Sequence, residues 1–134
     1  MSNVIINPDF DCQRPEYWIT LGNSLCERQL YTEAIAAYDR ALAIDPAYSK
    51  AWNNRGNTLS ALHRPAEAIG SYDKAVMIQP DFHQAWFNRG LLLSEMGAYG
   101  NAIASFDQAI AINSDPRYLH SKETIWLSKK LIAV

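Results

Sequence analysis

The chain of 134 residues has 12 Lys and Arg against 14 Asp and Glu, a net charge of −2 and a pI near 5.9. The basic residues are scattered, so the phosphate-neutralising stripe that nucleic-acid binding requires is missing and no nucleic-acid partner is expected. No apolar run approaches the ~20 residues that span a bilayer, so no membrane partner is expected either.

The first 14 residues, MSNVIINPDFDCQR, have neither the positive region nor the long apolar core of a secretory signal. They are expected to form an N-terminal extension, and the expected compartment is cytoplasmic unless the chain is a fragment of a longer protein. From there the pattern becomes helical. Trp18, Leu21, Gly22 and Leu25 follow i, i+3, i+4, i+7 and predict a helix over about 16–28. Ala34, Ile35, Tyr38, Ala41 and Leu42 form a second stripe, predicting a helix over about 32–45. The pair then returns twice. Trp52, Gly56 and Leu59 mark a helix over about 50–62, and Ala68, Ile69, Tyr72 and Ala75 one over about 66–79. Trp86, Gly90 and Leu93 mark a helix over about 84–96, and Ala102, Ile103, Phe106 and Ala109 one over about 100–113. All of these positions except Leu21 and Leu42 recur at intervals of 34 residues, with Phe106 in the place of Tyr38 and Tyr72. A chain of that period is a stack of like supersecondary units forming one domain.

Small residues set the expected packing. Gly22 with Ala34 lets two helices approach closely, while Trp18 and Tyr38 fill the space beside them. The tryptophans are read as core, and truncating one to Ala is expected to cost about 3–5 kcal/mol. Pro65 suits a first helical turn, where its missing N–H is not needed. Gly97 and Gly100 admit backbone angles that other residues resist.

The last stretch, 117–134, predicts a seventh helix over about 117–131 that caps the third unit. Tyr118, Ile125 and Ile132 lie along one line, but Leu119, Trp126, Leu127 and Leu131 occupy much of the remaining circumference. Three explanations stand: a homo-oligomer formed through Tyr118, Ile125, Trp126 and Ile132, continuation into a longer protein, or tight packing of both faces within the monomer.

The motif W-x2-L/R-G-x2-L, then A-I-x2-Y/F-D-x-A, then P resembles the tetratricopeptide repeat (TPR) family over 15–48, 49–82 and 83–116. Pro46 and Pro80 close the first two repeats, whereas Ser114 holds that place in the third and Pro116 follows two residues later. The resemblance implies an all-α fold, a right-handed α-solenoid of three hairpins plus the seventh helix. It also implies that the first helix of each hairpin lines a concave groove for a protein or peptide partner. Opposite the Trp-Gly-Leu stripe, the expected lining is Ile19, Thr20, Asn23, Asn53, Asn54, Asn57, Gln84, Phe87, Asn88 and Leu91.

TPR co-chaperones that hold acidic chaperone tails use two Lys, two Asn and one Arg as a carboxylate clamp. Asn23 and Asn54 match two of those places, and Ile19, Gln84 and Asn88 replace the three cations. No acidic-tail binding is therefore expected. The lining is more similar to the asparagine ladder of some TPR superhelices, whose side-chain amides grip a peptide backbone. Arg55 and Arg89 stand where the first repeat has Leu21 and are expected to pair with Asp39, Asp73 or Asp107 of the second helices.

Catalysis is not expected. His63, His83 and His120 stand alone, without HExxH, CxxC or carboxylates at ligand spacing, so no metal or cofactor is implied. Cys12 and Cys26 are too few for a disulfide framework.

Overall fold

The computed structural model describes residues 11–132, and among these it contains seven α-helices and no strand. They are α1 (Pro15–Glu27), α2 (Tyr31–Ile44), α3 (Ser49–Ala61), α4 (Pro65–Ile78), α5 (His83–Glu95), α6 (Tyr99–Ile112) and α7 (Pro116–Ile132). Each of α1 to α6 begins one residue ahead of the span its apolar stripe predicts. Helices α1 and α2, α3 and α4, and α5 and α6 pack as hairpins, and α2–α3, α4–α5 and α6–α7 contacts stack one hairpin on the next. No helix of the described residues is long and apolar enough to cross a membrane.

The turns repeat as faithfully as the helices. At the ends of α1, α3 and α5 the Leu30, Arg64 and Ala98 N–H groups donate to the Leu25, Leu59 and Leu93 carbonyls at 2.9, 3.0 and 2.9 Å. The residue before each donor lies in the left-handed region, Gln29 at φ 59°, His63 at φ 57° and Gly97 at φ 78°. This is the Schellman stop. Only the third repeat gives that place to glycine, whereas Gly100, also expected to serve a turn, lies inside α6. Helices α2 and α4 end where Asp45 and Gln79 leave the helical region before Pro46 and Pro80. Helix α6 stops at the equivalent place although Ser114 replaces the proline, because Asn113 is extended at φ −142°.

Within each hairpin a glycine admits an aromatic ring. A Cβ added at Gly22, Gly56 or Gly90 would lie 2.6, 2.7 or 2.6 Å from Cε1 of Tyr38, Tyr72 or Phe106. These rings, with Leu59, form the buried centre. The repeated tryptophans do not. Trp18, Trp52 and Trp86 are half-buried, and their indole N–H groups donate to the carbonyls of Cys12, Pro46 and Pro80 at 2.8, 2.9 and 2.9 Å. Each therefore clamps the segment that leads into its own repeat.

The expected arginine pairs form between repeats. Arg55 Nε donates to Asp39 Oδ1 at 2.8 Å and Arg89 Nε to Asp73 Oδ1 at 2.7 Å. The fork's second arm was not foreseen. Arg55 Nη1 donates to Ser71 Oγ at 2.8 Å, and Arg89 Nη1 to Ser105 Oγ at 2.7 Å. Both serines are buried, so their hydroxyls need these donors. In the first repeat Leu21 and Ala37 hold the same two places, an apolar version of the contact.

Candidate functional site

Helices α1, α3 and α5 present one side away from their hairpin partners. A stripe of period i, i+4, i+7, i+11 runs along each: Glu16, Thr20, Asn23 and Glu27 on α1; Lys50, Asn54, Asn57 and Ala61 on α3; Gln84, Asn88, Leu91 and Glu95 on α5. All twelve are exposed or half-exposed. Thr20, Asn23, Asn54, Asn57, Gln84, Asn88 and Leu91 therefore share one continuous face.

Three residues expected on that face are covered, and they are the same place of each repeat. Ile19 is 6% exposed and packs with Ala34, Tyr38 and Ala51. Asn53 is 7% exposed, and its Oδ1 accepts from Asn88 Nδ2 at 3.2 Å. Phe87 is half-buried beneath α7, with ring centroids 4.5 Å from Tyr118 and 5.7 Å from Phe106. A first helix is flanked by the next repeat as well as by its own partner, and this place turns toward that next repeat.

The asparagines hold the protein together with part of their capacity. Asn23 Oδ1 accepts from Tyr38 Oη at 2.6 Å and from Asn54 Nδ2 at 3.1 Å, while Asn57 Oδ1 accepts from Tyr72 Oη at 2.5 Å. In the third repeat both partners change together, to Leu91 and Phe106. Burial pushes the Tyr38 and Tyr72 hydroxyls well above the usual phenol range, helped at Tyr38 by Cys26 and at Tyr72 by the Glu95 charge. They remain protonated donors. The capacity that remains is uneven: both N–H groups on Asn23 and Asn57, and the carbonyl oxygen with one N–H on Asn54 and Asn88.

Between successive first helices lies a small notch. The first, about 200 Å³, is lined by Asn23, Cys26, Tyr38, Asn54, Asn57 and Thr58. The second, about 180 Å³, is lined by Asn57, Ser60, Tyr72, Asn88, Leu91, Leu92 and Glu95. The third, about 230 Å³ and bordered by α7, has Leu91, Phe106 and Ile125 as its apolar wall with Ser94, His120, Ser121 and Thr124. Sequence reasoning missed this last notch, because His120, Ser121, Thr124 and Ile125 come from the cap rather than from a repeat.

Helix α7 corrects a second expectation. Tyr118 is 2% exposed, with its hydroxyl 2.7 Å from His83 Nδ1 and its ring on Phe87, so it anchors the cap and is not available for self-association. Ile125 is half-buried against the third hairpin's core. Trp126 and Ile132 are exposed, at 45% and 70%.

Stacked helical hairpins with a notched inner face define an α-solenoid. The sequence matches the TPR repeat family over residues 22–62 and the tetratricopeptide repeat family over 49–82 and 83–116, and the chain belongs to that family. Solved structures of the same fold include the Sgt2 TPR domain from Aspergillus fumigatus, 24% identical over 87% of this chain and 79% of that one, with a TM-score of 0.82. The first TPR of Spaghetti (RPAP3), bound to the HSP90 peptide SRMEEVD, is 18% identical over 88% of this chain and 94% of that one, with a TM-score of 0.84. MamA is 21% identical over 87% of this chain and 69% of that one, with a TM-score of 0.83. No curated protein matches the sequence.

Proposed function

We propose that this TPR module is a non-catalytic adaptor that holds an extended peptide segment of a partner protein along the face of α1, α3 and α5. The observation that carries the reading is the unused capacity of the amides: N–H groups on Asn23 and Asn57 next to carbonyl oxygens, each with a spare N–H, on Asn54 and Asn88. A peptide backbone presents the complementary alternation whatever its sequence. Four such bonds at about 0.5–1.5 kcal/mol each fall short of the roughly 8 kcal/mol of micromolar binding. The apolar notch of Leu91, Phe106 and Ile125 would supply the rest by taking an aliphatic side chain.

Charge argues against acidic ligands. Ile19, Gln84 and Asn88 supply no cation where a carboxylate clamp requires one, and Ile19 is buried. Glu27 and Glu95 edge the same face without an ion-pair partner among the described residues.

The test is a library of extended peptides presented to the wild-type chain and to Asn54→Ala/Asn88→Ala. Neutral or basic peptides with one aliphatic residue should bind at micromolar or weaker affinity, and the double variant should weaken them by about tenfold or more. The SRMEEVD peptide should not bind. Unchanged affinities in the double variant, or micromolar binding of SRMEEVD, would refute the reading.

A further inference from the structure

Helix α7 sits on α6 as α5 sits on α4, in the position a fourth repeat's first helix would take. Three residues link Ile112 to Pro116, whereas four link Ile78 to His83, so α7 follows the repeat with an offset of 33 rather than 34. The contacts confirm that register. Lys122 Nζ pairs with Asp107 Oδ1 at 2.7 Å as Arg89 pairs with Asp73, and Ile125 packs on the third hairpin's core as Leu92 packs on the second's.

In that register Leu119, Glu123 and Trp126 occupy the places of Trp86, Gly90 and Leu93, the face each hairpin covers with its own second helix. Here nothing in the described chain covers it. Leu119 is 49% exposed, Trp126 45% and the adjacent Leu127 55%. Adjoining exposed apolar side chains of this size imply a contact.

The occupant is constrained by Glu123. A regular second helix brings an aromatic ring against a glycine, close enough that an added Cβ at Gly90 would lie 2.6 Å from Phe106. Glu123 fills that place and excludes such a helix. Its charge also points to what fits. Glu123 and Lys130 share this side of α7 and stand at equal distances from the midpoint between Trp126 and Leu127. An antiparallel copy of the same helix, related by a twofold axis at that midpoint, places each Glu123 opposite the other copy's Lys130 and buries Trp126 and Leu127 between them.

We propose that this face is the interface of a homodimer, formed by antiparallel packing of α7 against α7 of a second copy. Lys130 Nζ already lies 4.0 Å from the Trp126 ring centroid, which holds the cation on the apolar patch where the opposing carboxylate arrives.

The test is the solution mass of the full chain by light scattering from about 1 µM to about 1 mM. The wild type should pass from monomer to dimer within that range, and Trp126→Glu should stay monomeric throughout with an unchanged helical circular dichroism spectrum. Glu123→Lys and Lys130→Glu should each raise the dimer's dissociation constant by about two- to tenfold, and the combined swap should bring it back toward wild type. A wild type that stays monomeric, a dimer that survives Trp126→Glu, or a combined swap no better than the single changes would each overturn the proposal.

Discussion

Two glycines of one hairpin should respond oppositely to the same substitution. A Cβ at Gly56 in α3 would lie 2.7 Å from Cε1 and 2.8 Å from Cδ1 of Tyr72. That ring has nowhere to go, being 2% exposed and tethered by its hydroxyl to Asn57 at 2.5 Å. Overpacking of this kind costs about 1–3 kcal/mol. The gain in helix propensity on replacing glycine by alanine offsets about 0.8–1.0 kcal/mol of it. Gly56→Ala should therefore lower stability by up to about 2 kcal/mol. Gly70 in α4 is exposed, and a Cβ there meets nothing within 4 Å. Gly70→Ala should retain the propensity gain and raise stability by about 0.5–1 kcal/mol. Urea unfolding followed by tryptophan fluorescence gives both free energies. A Gly56→Ala variant as stable as Gly70→Ala would refute the view that the glycine repeats because a ring must lie against it.

Arg89→Ala should strand the buried Ser105 hydroxyl and cost about 1–3 kcal/mol, whereas Arg89→Leu with Ser105→Ala, which copies Leu21 and Ala37 of the first repeat, should recover most of that loss in the same unfolding assay. Equal losses in both variants would show that the serine does not depend on the arginine. Asp115 accepts hydrogen bonds from the Arg117 guanidinium and from its backbone N–H, and these bring its pKa down to about 2. A carboxyl whose folded pKa is depressed stabilises the protein above the unfolded value of ~3.9, and the contribution fades as pH falls toward the folded value. A carboxyl-detected NMR titration should place Asp115 near that low value, and Arg117→Ala should move it up toward the ordinary range. A wild-type value near 4 would refute the assignment.

The helices and the arginine pairs were legible because they recur. A stripe seen once is ambiguous, but Gly22, Gly56 and Gly90 in one register with Tyr38, Tyr72 and Phe106 fix both members of the contact. The serine acceptors carried a signal of the same kind: Ser71 and Ser105 replace Ala37 in just those repeats where Arg55 and Arg89 replace Leu21. Reading the two substitutions together would have found the fork. The misplacement of Ile19, Asn53 and Phe87 has a geometric cause. A helical wheel divides a helix into a covered half and an open half, but a solenoid's first helix also meets the first helix of the following repeat, and that contact takes one of the lines counted as open. Helix α7 resisted reading for another reason. Periodicity needs contrast between faces, and apolar residues surround this helix, so the one-residue offset became visible through the shorter link, the Lys122–Asp107 pair and the seat of Ile125.

The asparagines show why composition alone overstates a binding face. Asn23, Asn54, Asn57 and Asn88 recur as a ligand-gripping ladder would, yet each already gives one end of its amide to the fold. The paired change of Asn57 and Tyr72 to Leu91 and Phe106 marks the reason: at that place the amide first satisfies a buried hydroxyl, and where the hydroxyl is absent the amide is absent too. Those bonds use two of Asn23's four hydrogen-bonding sites and one each of Asn54's, Asn57's and Asn88's. The bonds already made set which way each amide points, and at Asn57 they satisfy a buried hydroxyl before anything else.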